Sequence, residues 1–243
     1  MAKQQSLINF LKIMEGYTKD GYLKDNLVSN SEEEAPPLPL AYMLDEDEAP
    51  EEQYSLNNIA GEINSCDACS LSITRNRAVA GEGVNNPLLM VIGEGPGADE
   101  DKSGRPFVGR AGQLLDKMLI SIGLSREENC FIANIVKCRP PLNRDPLEDE
   151  VTSCLPFLKR QITALNPKII LLAGRVAAKN LLNVSSALKD LRGNFHDYLG
   201  IPVLVTFHPS ALLRDDSLKR PAWEDLKILK AKLEDMGHKL ALL

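Results

Sequence analysis

Lys-Ile-Ile-Leu-Leu-Ala at residues 168–173 and Pro-Val-Leu-Val-Thr-Phe at residues 202–207 are two of the four short apolar runs that decide the fold. The other two are Pro-Leu-Leu-Met-Val-Ile-Gly at residues 87–93 and the run at residues 130–136. Each run is too short for a typical helix and has apolar residues at consecutive positions, which is typical of a strand buried on both faces. The sequence therefore predicts four central β-strands.

Segments with apolar residues at helical spacing separate and follow these strands. They cover residues 111–122, 147–165, 175–182 and 223–236. Strands that alternate with helices form a mostly parallel sheet with helices on both faces. The predicted fold is of the α/β class, a three-layer α/β/α sandwich around a mostly parallel four-stranded sheet. Ligands of such folds bind beyond the carboxyl ends of the strands, so the residues that follow the strands are the first site candidates.

Charge divides the chain into two regions. Residues 1–60 carry 4 basic and 12 acidic side chains, whereas residues 61–243 carry 24 basic and 22 acidic ones. The overall net charge of −6 therefore describes the N-terminal region, and it does not argue against a nucleic-acid partner for the rest. We predict an N-terminal arm over residues 1–57 and a folded domain over residues 58–243.

The arm combines an amphipathic segment with an acidic tether. Apolar spacing predicts a helix within residues 4–26, and residues 28–53 are rich in Glu, Asp and Pro, which is typical of disorder. The helix loosely matches glutamine-plus-apolar peptides that dock on sliding clamps; the alternative is a helix that packs on its own domain or on nothing. The matching residues are Gln4, Leu7, Phe10 and Leu11. Without a membrane-spanning run or a signal-peptide pattern, we expect a cytoplasmic protein. We also expect a monomer.

Four of the five cysteines have the spacing of a metal site. Cys66 and Cys69 form a Cys-x-x-Cys pair in a turn-like stretch, Cys138 ends a predicted strand, and Cys154 follows 16 residues later. Four thiolates can bind either structural zinc or an iron–sulfur cluster, and the spacing alone does not decide between them. The alternatives are a redox pair or incidental buried cysteines, and Cys130 is expected to belong to the core.

The loop after the first strand is rich in glycine. Residues 93–101 read Gly-Glu-Gly-Pro-Gly-Ala-Asp-Glu-Asp, and residues 104–112 read Gly-Arg-Pro-Phe-Val-Gly-Arg-Ala-Gly. A nucleotide-phosphate loop is disfavoured, because Pro96 and an acidic run precede the next helix and no Lys-Ser or Lys-Thr pair follows. The pattern favours a pocket for a neutral planar ligand, in which Glu94 handles a water molecule and Phe107 offers a stacking platform. The alternative is that Phe107 packs in the hydrophobic core.

Two polar residues mark the loops after the second and the last strand. Asn134 offers a hydrogen-bond donor beside an acceptor and can read the edge of a nucleobase; the alternative is a backbone cap. His208 lies at the end of its strand and is followed by a proline, a position suited to contact with a ligand. The alternative for His208 is a structural role.

Basic and apolar residues beside these loops indicate a nucleic-acid surface. Those at 137–144 have the spacing of phosphate contacts, although a solvated basic loop is the alternative. Leu212 and Leu213, next to a basic residue, suit a wedge that enters a base stack. The expected DNA contacts are Arg105, Arg110, Lys137, Arg139, Arg144, Ser210, Leu212, Leu213 and Arg214.

Taken together, four motifs resemble those of family 4 uracil-DNA glycosylases, the iron–sulfur type. The motifs are GEGPGADED at 93–101, GRPFVGRAGQLLD at 104–116, NIVKCRPPLNRDP at 134–146 and HPSALLR at 208–214. The resemblance covers about residues 58–236 and includes the upstream Cys-x-x-Cys pair. It implies a base-excision repair enzyme that flips uracil out of DNA and hydrolyses its N-glycosidic bond. It also implies a 4Fe–4S cluster, whose ligands are Cys66, Cys69, Cys138 and Cys154.

The same resemblance implies a role for each residue of the pocket. Glu94 and Gly95 belong to the motif that binds uracil and activates water, and Phe107 stacks on the flipped uracil. Asn134 reads the polar edge of the base, and His208 faces its O2. Glu94, Asn134 and His208 would be the catalytic residues.

Two other functions are compatible with parts of this pattern. The first is a non-catalytic nucleic-acid-binding module, because some phage DNA polymerases carry a similar domain. The second is a zinc protein without a cluster. Release of free uracil distinguishes the enzyme from the module, and the brown colour of an iron–sulfur cluster distinguishes it from zinc.

Overall fold

The computed structural model describes residues 55–240. The predicted helix within residues 4–26, the acidic tether and the clamp-binding residues lie outside this part of the chain. Among the described residues, no helix is both long enough and apolar enough to cross a membrane.

Six strands form one mixed sheet. They are β1 (Glu82–Gly83), β2 (Leu89–Gly93), β3 (Cys130–Asn134), β4 (Ile169–Ala173), β5 (Phe195–Tyr198) and β6 (Ile201–Thr206). Their order is β1-β3-β2-β4-β6-β5. Strands β3, β2, β4 and β6 are mutually parallel, whereas β1 and β5 are antiparallel to their neighbours. The α/β class is confirmed, but the predicted sheet of four strands is wrong because each edge carries one further antiparallel strand.

The two edge strands lack the apolar runs by which the central strands are recognised. Strand β1 is only two residues long, and β5 reads Phe-His-Asp-Tyr with no fully buried residue. The hairpin between β5 and β6 turns at Leu199 and Gly200, both with positive φ (54° and 83°). Asn-Gly or Asp-Gly is the usual sequence for such a turn, so a Leu-Gly pair gives a weak signal.

Helices cover both faces of the sheet. They are α1 (Leu56–Ser65), α2 (Leu71–Thr74), α3 (Ala98–Ser103), α4 (Arg110–Ile120), α5 (Glu148–Leu165), α6 (Arg175–Leu182), α7 (Leu188–Leu191), α8 (Pro209–Arg214) and α9 (Lys219–Asp235). Helices α1, α5 and α6 contribute to the core on one face, and α4 and α9 contribute to the core on the other.

Successive side chains of a central strand point to opposite faces of the sheet, so each central strand contributes to both hydrophobic cores. In β2, Met90 and Ile92 belong to the core with α5, whereas Leu89 and Val91 belong to the core with α4 and α9. All five residues of β2 are buried, as are those of β3 and β4. A sheet covered on both faces leaves its carboxyl edge as the place where loops can form a cleft.

Candidate active site

The carboxyl ends of the parallel strands open into a cleft of about 640 Å³. Glu94 follows β2, Asn134 ends β3, Arg175 begins the helix after β4, and His208 follows β6. All four residues line the cleft, together with Phe107 from the loop between α3 and α4. The cleft therefore brings together the predicted carboxylate, carboxamide, imidazole and aromatic ring from separate parts of the chain.

Asn134 and Phe107 meet around the backbone of Gly93, and the His208 ring lies beside Phe107. A β-carbon on Gly93 would lie 2.5 Å from Oδ1 of Asn134 and 2.5 Å from Cζ of Phe107. The Phe107 and His208 rings have centroids 5.6 Å apart and planes inclined by 33°. Glycine at position 93 therefore lets a ring and a carboxamide approach one another at the floor of the cleft.

Phe107 has a backbone conformation that is rare for an aromatic residue, with φ of 52°. The buried Arg126 donates hydrogen bonds from Nη1 to the Pro106 carbonyl and from Nη2 to the Phe107 carbonyl, each 2.9 Å long. The same guanidinium forms an ion pair with Asp116 at 2.7 Å. Arg126 stabilises the Phe107 turn, a role that the sequence analysis did not predict because the two residues are 19 positions apart.

Glu100 joins the two halves of the glycine-rich loop. Its Oε1 accepts hydrogen bonds from the N–H groups of Val108 (2.8 Å) and Gly109 (2.9 Å), and its Oε2 accepts one from Gly97 at 3.1 Å. A glutamate three residues after a helix N-cap is a sequence signature of a capping box. The N-cap is Gly97 rather than Ser, Thr, Asp or Asn, so the sequence carries only a weak signal for the role of Glu100.

Asn134 has a buried polar atom that no neighbouring group within residues 55–240 satisfies. Its side chain is 1% exposed, and its Oδ1 is buried without any hydrogen-bond partner among the described residues. A buried acceptor without a partner is energetically unfavourable and rare in native structures. The carboxamide is therefore available to a ligand that brings its own N–H donor into the cleft.

His208 presents a neutral imidazole to the cleft. Its Nδ1 accepts hydrogen bonds from the backbone N–H of Ser210 (3.1 Å) and from the Ser210 hydroxyl (2.8 Å). Burial, with a smaller contribution from the charge of Arg214, lowers the pKa of His208 to about 4. The single proton of the ring therefore lies on Nε2, which can donate to a ligand at neutral pH.

Glu94 titrates near neutrality. Burial, and secondarily the negative charge of Asp145, raises the pKa of Glu94 to about 7, although Arg175 opposes this shift. Arg175 and Asp145 form an ion pair at 2.6 Å on the wall of the cleft. A carboxyl group with a pKa close to the working pH is suited to general acid–base chemistry.

The predicted DNA contacts separate into exposed and buried residues. Arg110, Arg144, Ser210 and Arg214 line the cleft. Arg105 is exposed beside Glu82, with which it forms a 2.7 Å ion pair, and Leu213 is 39% exposed. The half-buried Arg139 donates a 2.9 Å hydrogen bond to Asn143 in the same loop.

Two of the predicted DNA contacts are wrong. Lys137 is 1% exposed, and its Nζ donates to the Asn134 carbonyl (2.9 Å) and to Gln161 Oε1 (2.7 Å). Burial lowers the pKa of Lys137 to about 8. Leu212 is 2% exposed and packs in the core with α4 and α9. Neither side chain can reach DNA, because the loop after β3 and helix α8 turn them inward.

The four cysteines with metal-site spacing surround one narrow cavity. Cys66 and Cys69 lie between α1 and α2, Cys138 follows β3, and Cys154 lies in α5. Cys130 is buried in β3, as predicted for a core residue, and burial raises the pKa of its thiol to about 12. Within residues 55–240, no three His, Cys, Asp or Glu side chains are close enough to bind one metal ion.

Comparisons with known proteins identify the family. The Uracil DNA glycosylase superfamily matches residues 80–227, which contain every loop of the cleft. The chain is 45% identical over 185 residues to a type-4 uracil-DNA glycosylase of Sulfurisphaera tokodaii (72% of this chain, 84% of the relative). It is 42% identical over 183 residues to a type-4 uracil-DNA glycosylase of Thermotoga maritima (74% of this chain, 95% of the relative).

A more distant relative is a DNA polymerase of Bacillus phage SP01, with 27% identity over 166 residues. The match covers 68% of this chain but only 18% of the polymerase. The type-4 enzymes, by contrast, match over most of their length. The chain therefore belongs to the type-4 uracil-DNA glycosylases.

Proposed function

We propose that this chain removes uracil from DNA by binding the extruded base between Phe107, Asn134 and His208. The observation that carries this proposal is the unpaired, buried Oδ1 of Asn134 on the cleft floor. The N3–H of uracil would donate to this oxygen, and the carboxamide N–H would donate to uracil O4. Cytosine presents a donor where uracil has O4, so it would be rejected.

His208 would stabilise the departing base. Cleavage of the N-glycosidic bond leaves a uracil anion with charge on O2, and an Nε2–H aimed at O2 interacts most strongly when this charge develops. Ser210 orients the ring through Nδ1, so that Nε2 carries the proton. A neutral imidazole does not carry the desolvation cost of a buried charge. It therefore suits a site from which the bound base displaces water.

Glu94 would act on the water molecule that attacks C1′ of the sugar. Its pKa of about 7 lets the carboxylate form orient the water or accept a proton from it at neutral pH. The base leaves toward Asn134 and His208, while water approaches from the opposite side of the sugar. The uracil is released, and the DNA keeps an abasic site.

Leu213 would fill the gap that the flipped nucleotide leaves. It lies in α8, the helix that begins directly after His208, and 39% of the residue is exposed. Extrusion of a base costs a few kcal/mol, which an inserted apolar side chain can partly offset. The exposed arginines of the cleft, Arg110 and Arg214, would bind the flanking phosphates.

We propose that Cys66, Cys69, Cys138 and Cys154 hold a 4Fe–4S cluster, as the resemblance of the motifs implies. The support from the structure is that these four thiols, from three separate parts of the chain, surround one cavity. When bound, the cluster would supply iron–thiolate bonds between the segment after α1, helix α5 and the loop after β3.

Two donors already face these sulfurs. Arg75 Nη1 lies 3.1 Å from Cys138 Sγ, and the backbone N–H of Lys137 donates to Cys154 Sγ at 3.2 Å. Hydrogen bonds of this kind stabilise thiolate ligands and tune a cluster. Thiolates must stay unpaired to bind iron, so we place the protein in a reducing cytoplasm. The monomeric state and the sliding-clamp contact through Gln4 and its neighbours remain sequence-based proposals.

Incubation with uracil-containing DNA tests the function. The enzyme releases free uracil and leaves alkali-labile abasic sites in single- and double-stranded substrates, whereas a binding module retains DNA without release. The module is the second candidate because of the phage polymerase relative. Broad absorbance near about 400 nm in the purified protein tests the cluster, since zinc gives no visible colour.

A further inference from the structure

Leu142 is the most exposed large apolar residue in the described part of the chain. It is 96% exposed and lies in a short 3-10 turn, Pro141–Asn143, in the loop after β3. Single exposed leucines are common on protein surfaces and need no explanation by themselves. The position of Leu142, beside residues that line the cleft, makes it different.

Leu142 has a left-handed backbone, with φ of 55° and ψ of 18°, which is unfavourable for a residue with a branched side chain. The next residue, Asn143, also has a positive φ of 54°. Neighbours stabilise this turn: Arg139 Nε donates to Asn143 Oδ1 at 2.9 Å, and Arg144 forms two hydrogen bonds with Glu150 at 2.8 and 2.6 Å. Folding gives no reason for leucine here, since glycine fits the backbone better.

The turn lies at the mouth of the cleft. Pro140, Asn143 and Arg144, on both sides of Leu142 in the chain, line the same cleft as Asn134 and His208. The charge of Arg144 is paired with Glu150, so the feature that points to a ligand is the exposed apolar side chain of Leu142. An exposed apolar side chain at the entrance to a base pocket suits the faces of unstacked nucleobases.

We propose that Leu142 is a second apolar DNA contact, in addition to Leu213, which packs against the bases next to the extruded nucleotide in duplex DNA. The proposal rests on the proposed extrusion of uracil into the cleft. The turn presents the side chain to the DNA without rearrangement, so binding does not have to order the loop. The proposed partner is the duplex substrate itself. Extrusion of a nucleotide disrupts the base stack of a duplex and exposes the apolar faces of the neighbouring bases.

Leu199 provides a matched control. It is 82% exposed and has φ of 54°, but it lies in the β5–β6 hairpin, none of whose residues line the cleft. Leu142→Gly and Leu199→Gly each remove an exposed leucine side chain from a residue with positive φ. Both variants should keep the thermal unfolding midpoint close to that of the wild type, because glycine adopts a positive φ without steric penalty.

The experiment measures the affinity of the full chain for a duplex that contains a tetrahydrofuran abasic-site analogue. We expect Leu142→Gly to weaken binding by at least about fivefold and Leu199→Gly to leave it unchanged. Leu142→Met, which keeps an apolar side chain, should bind within about twofold of the wild type. The effect of Leu142→Gly on single-stranded DNA should be smaller, because a single strand has no continuous stack to fill.

Equal affinities of Leu142→Gly and the wild type for the duplex would overturn the proposal, as would an equal loss in Leu199→Gly. Leu142→Asn serves as a second variant, since asparagine also adopts left-handed conformations. It should show the same loss of binding as glycine. The binding comparison does not depend on catalysis, so failure of the wild type to release uracil would refute the proposed function without deciding the role of Leu142.

Discussion

Burial shifts the pKa values of Glu94 and His208 in opposite directions, and these directions fit the roles that we propose for the two residues. A carboxyl group that loses water ionises less readily, and an imidazole that loses water accepts a proton less readily. The pKa of Glu94 rises to about 7, and that of His208 falls to about 4. At neutral pH the cleft therefore contains a neutral donor for the base and a carboxyl group that is close to its titration midpoint.

The pH dependence of uracil release should follow Glu94. In the proposed mechanism the carboxylate form is the active one, so single-turnover rates should rise about tenfold per pH unit well below pH 7 and level off above it. His208 stays neutral above pH 5 and should add no second step. Glu94→Gln should lower the rate and abolish the step. A rate that is flat between about pH 5.5 and 8.5 in the wild type would contradict this assignment.

Asn134 and His208 can be tested by removal of their polar groups. Asn134→Ala and His208→Ala should each slow single-turnover release of uracil by at least about tenfold, because each loses a hydrogen bond that selects or stabilises the leaving base. DNA affinity should change little. His196→Ala is the control, since His196 lies in β5 and does not line the cleft. Wild-type rates in both cleft variants would refute the pocket assignment.

At the level of elements, the loop between α3 and α4 depends on hydrogen bonds from outside itself. The left-handed Phe107 is stabilised by Arg126, which comes after α4, and by Glu100 in α3. Gly112 in α4 allows the close approach, since a β-carbon there would clash with the Phe107 carbonyl oxygen. The position of the Phe107 ring therefore depends on helices α3 and α4 and on the segment that precedes β3.

Arg126→Lys tests this dependence. Lysine cannot donate to two carbonyls and to Asp116 in the planar geometry of a guanidinium, so the Phe107 turn should loosen. We expect a loss of about 2 kcal/mol in the free energy of unfolding and a raised KM for uracil-containing DNA. Arg105→Lys is the control: its ion pair with Glu82 is exposed, and its effect should stay within about 0.5 kcal/mol. Equal effects of the two substitutions would contradict the role of Arg126.

The elements that the sequence predicted are those with strong hydrophobic patterns. The four central strands were identified from consecutive apolar residues, and helix α6 has the predicted bounds, Arg175–Leu182. Edge strands β1 and β5 were not predicted, because an edge strand buries few side chains and therefore needs no run of apolar residues. Helix α9 begins at Lys219, four residues before the predicted start, because its first turn is polar and contains a proline.

On the scale of the whole molecule, the cysteine site connects parts of the chain that no local interaction joins. The segment between α1 and α2 contributes two sulfurs, and the start of the loop after β3 and helix α5 contribute one each. The backbone of Lys137 contacts Cys154, and its side chain contacts the backbone of Asn134. The cysteine site and the base pocket therefore share one structural connection through the loop after β3.

Loss of one cysteine ligand should remove both colour and stability. Cys138→Ala and Cys154→Ala should lower the absorbance near about 400 nm, the iron content and the soluble yield, because three thiolates bind a 4Fe–4S cluster less stably than four. Cys130→Ala is the matched control: Cys130 is equally buried but lies in β3 away from the cavity, so full absorbance is expected. Full absorbance in Cys138→Ala or Cys154→Ala would contradict the proposed ligands.

The sequence by itself determined the α/β class, the order of the central strands and helices, and the loops that form the cleft. These follow from hydrophobic periodicity and from residue types at strand ends, which are local properties. Only the tertiary structure decided which side chains of these loops face inward. Lys137 and Leu212 lie in motifs that read as DNA contacts, yet both are buried, while Leu142 is exposed in a left-handed turn. The direction of a side chain in a loop depends on the helices packed around it, which local sequence does not encode.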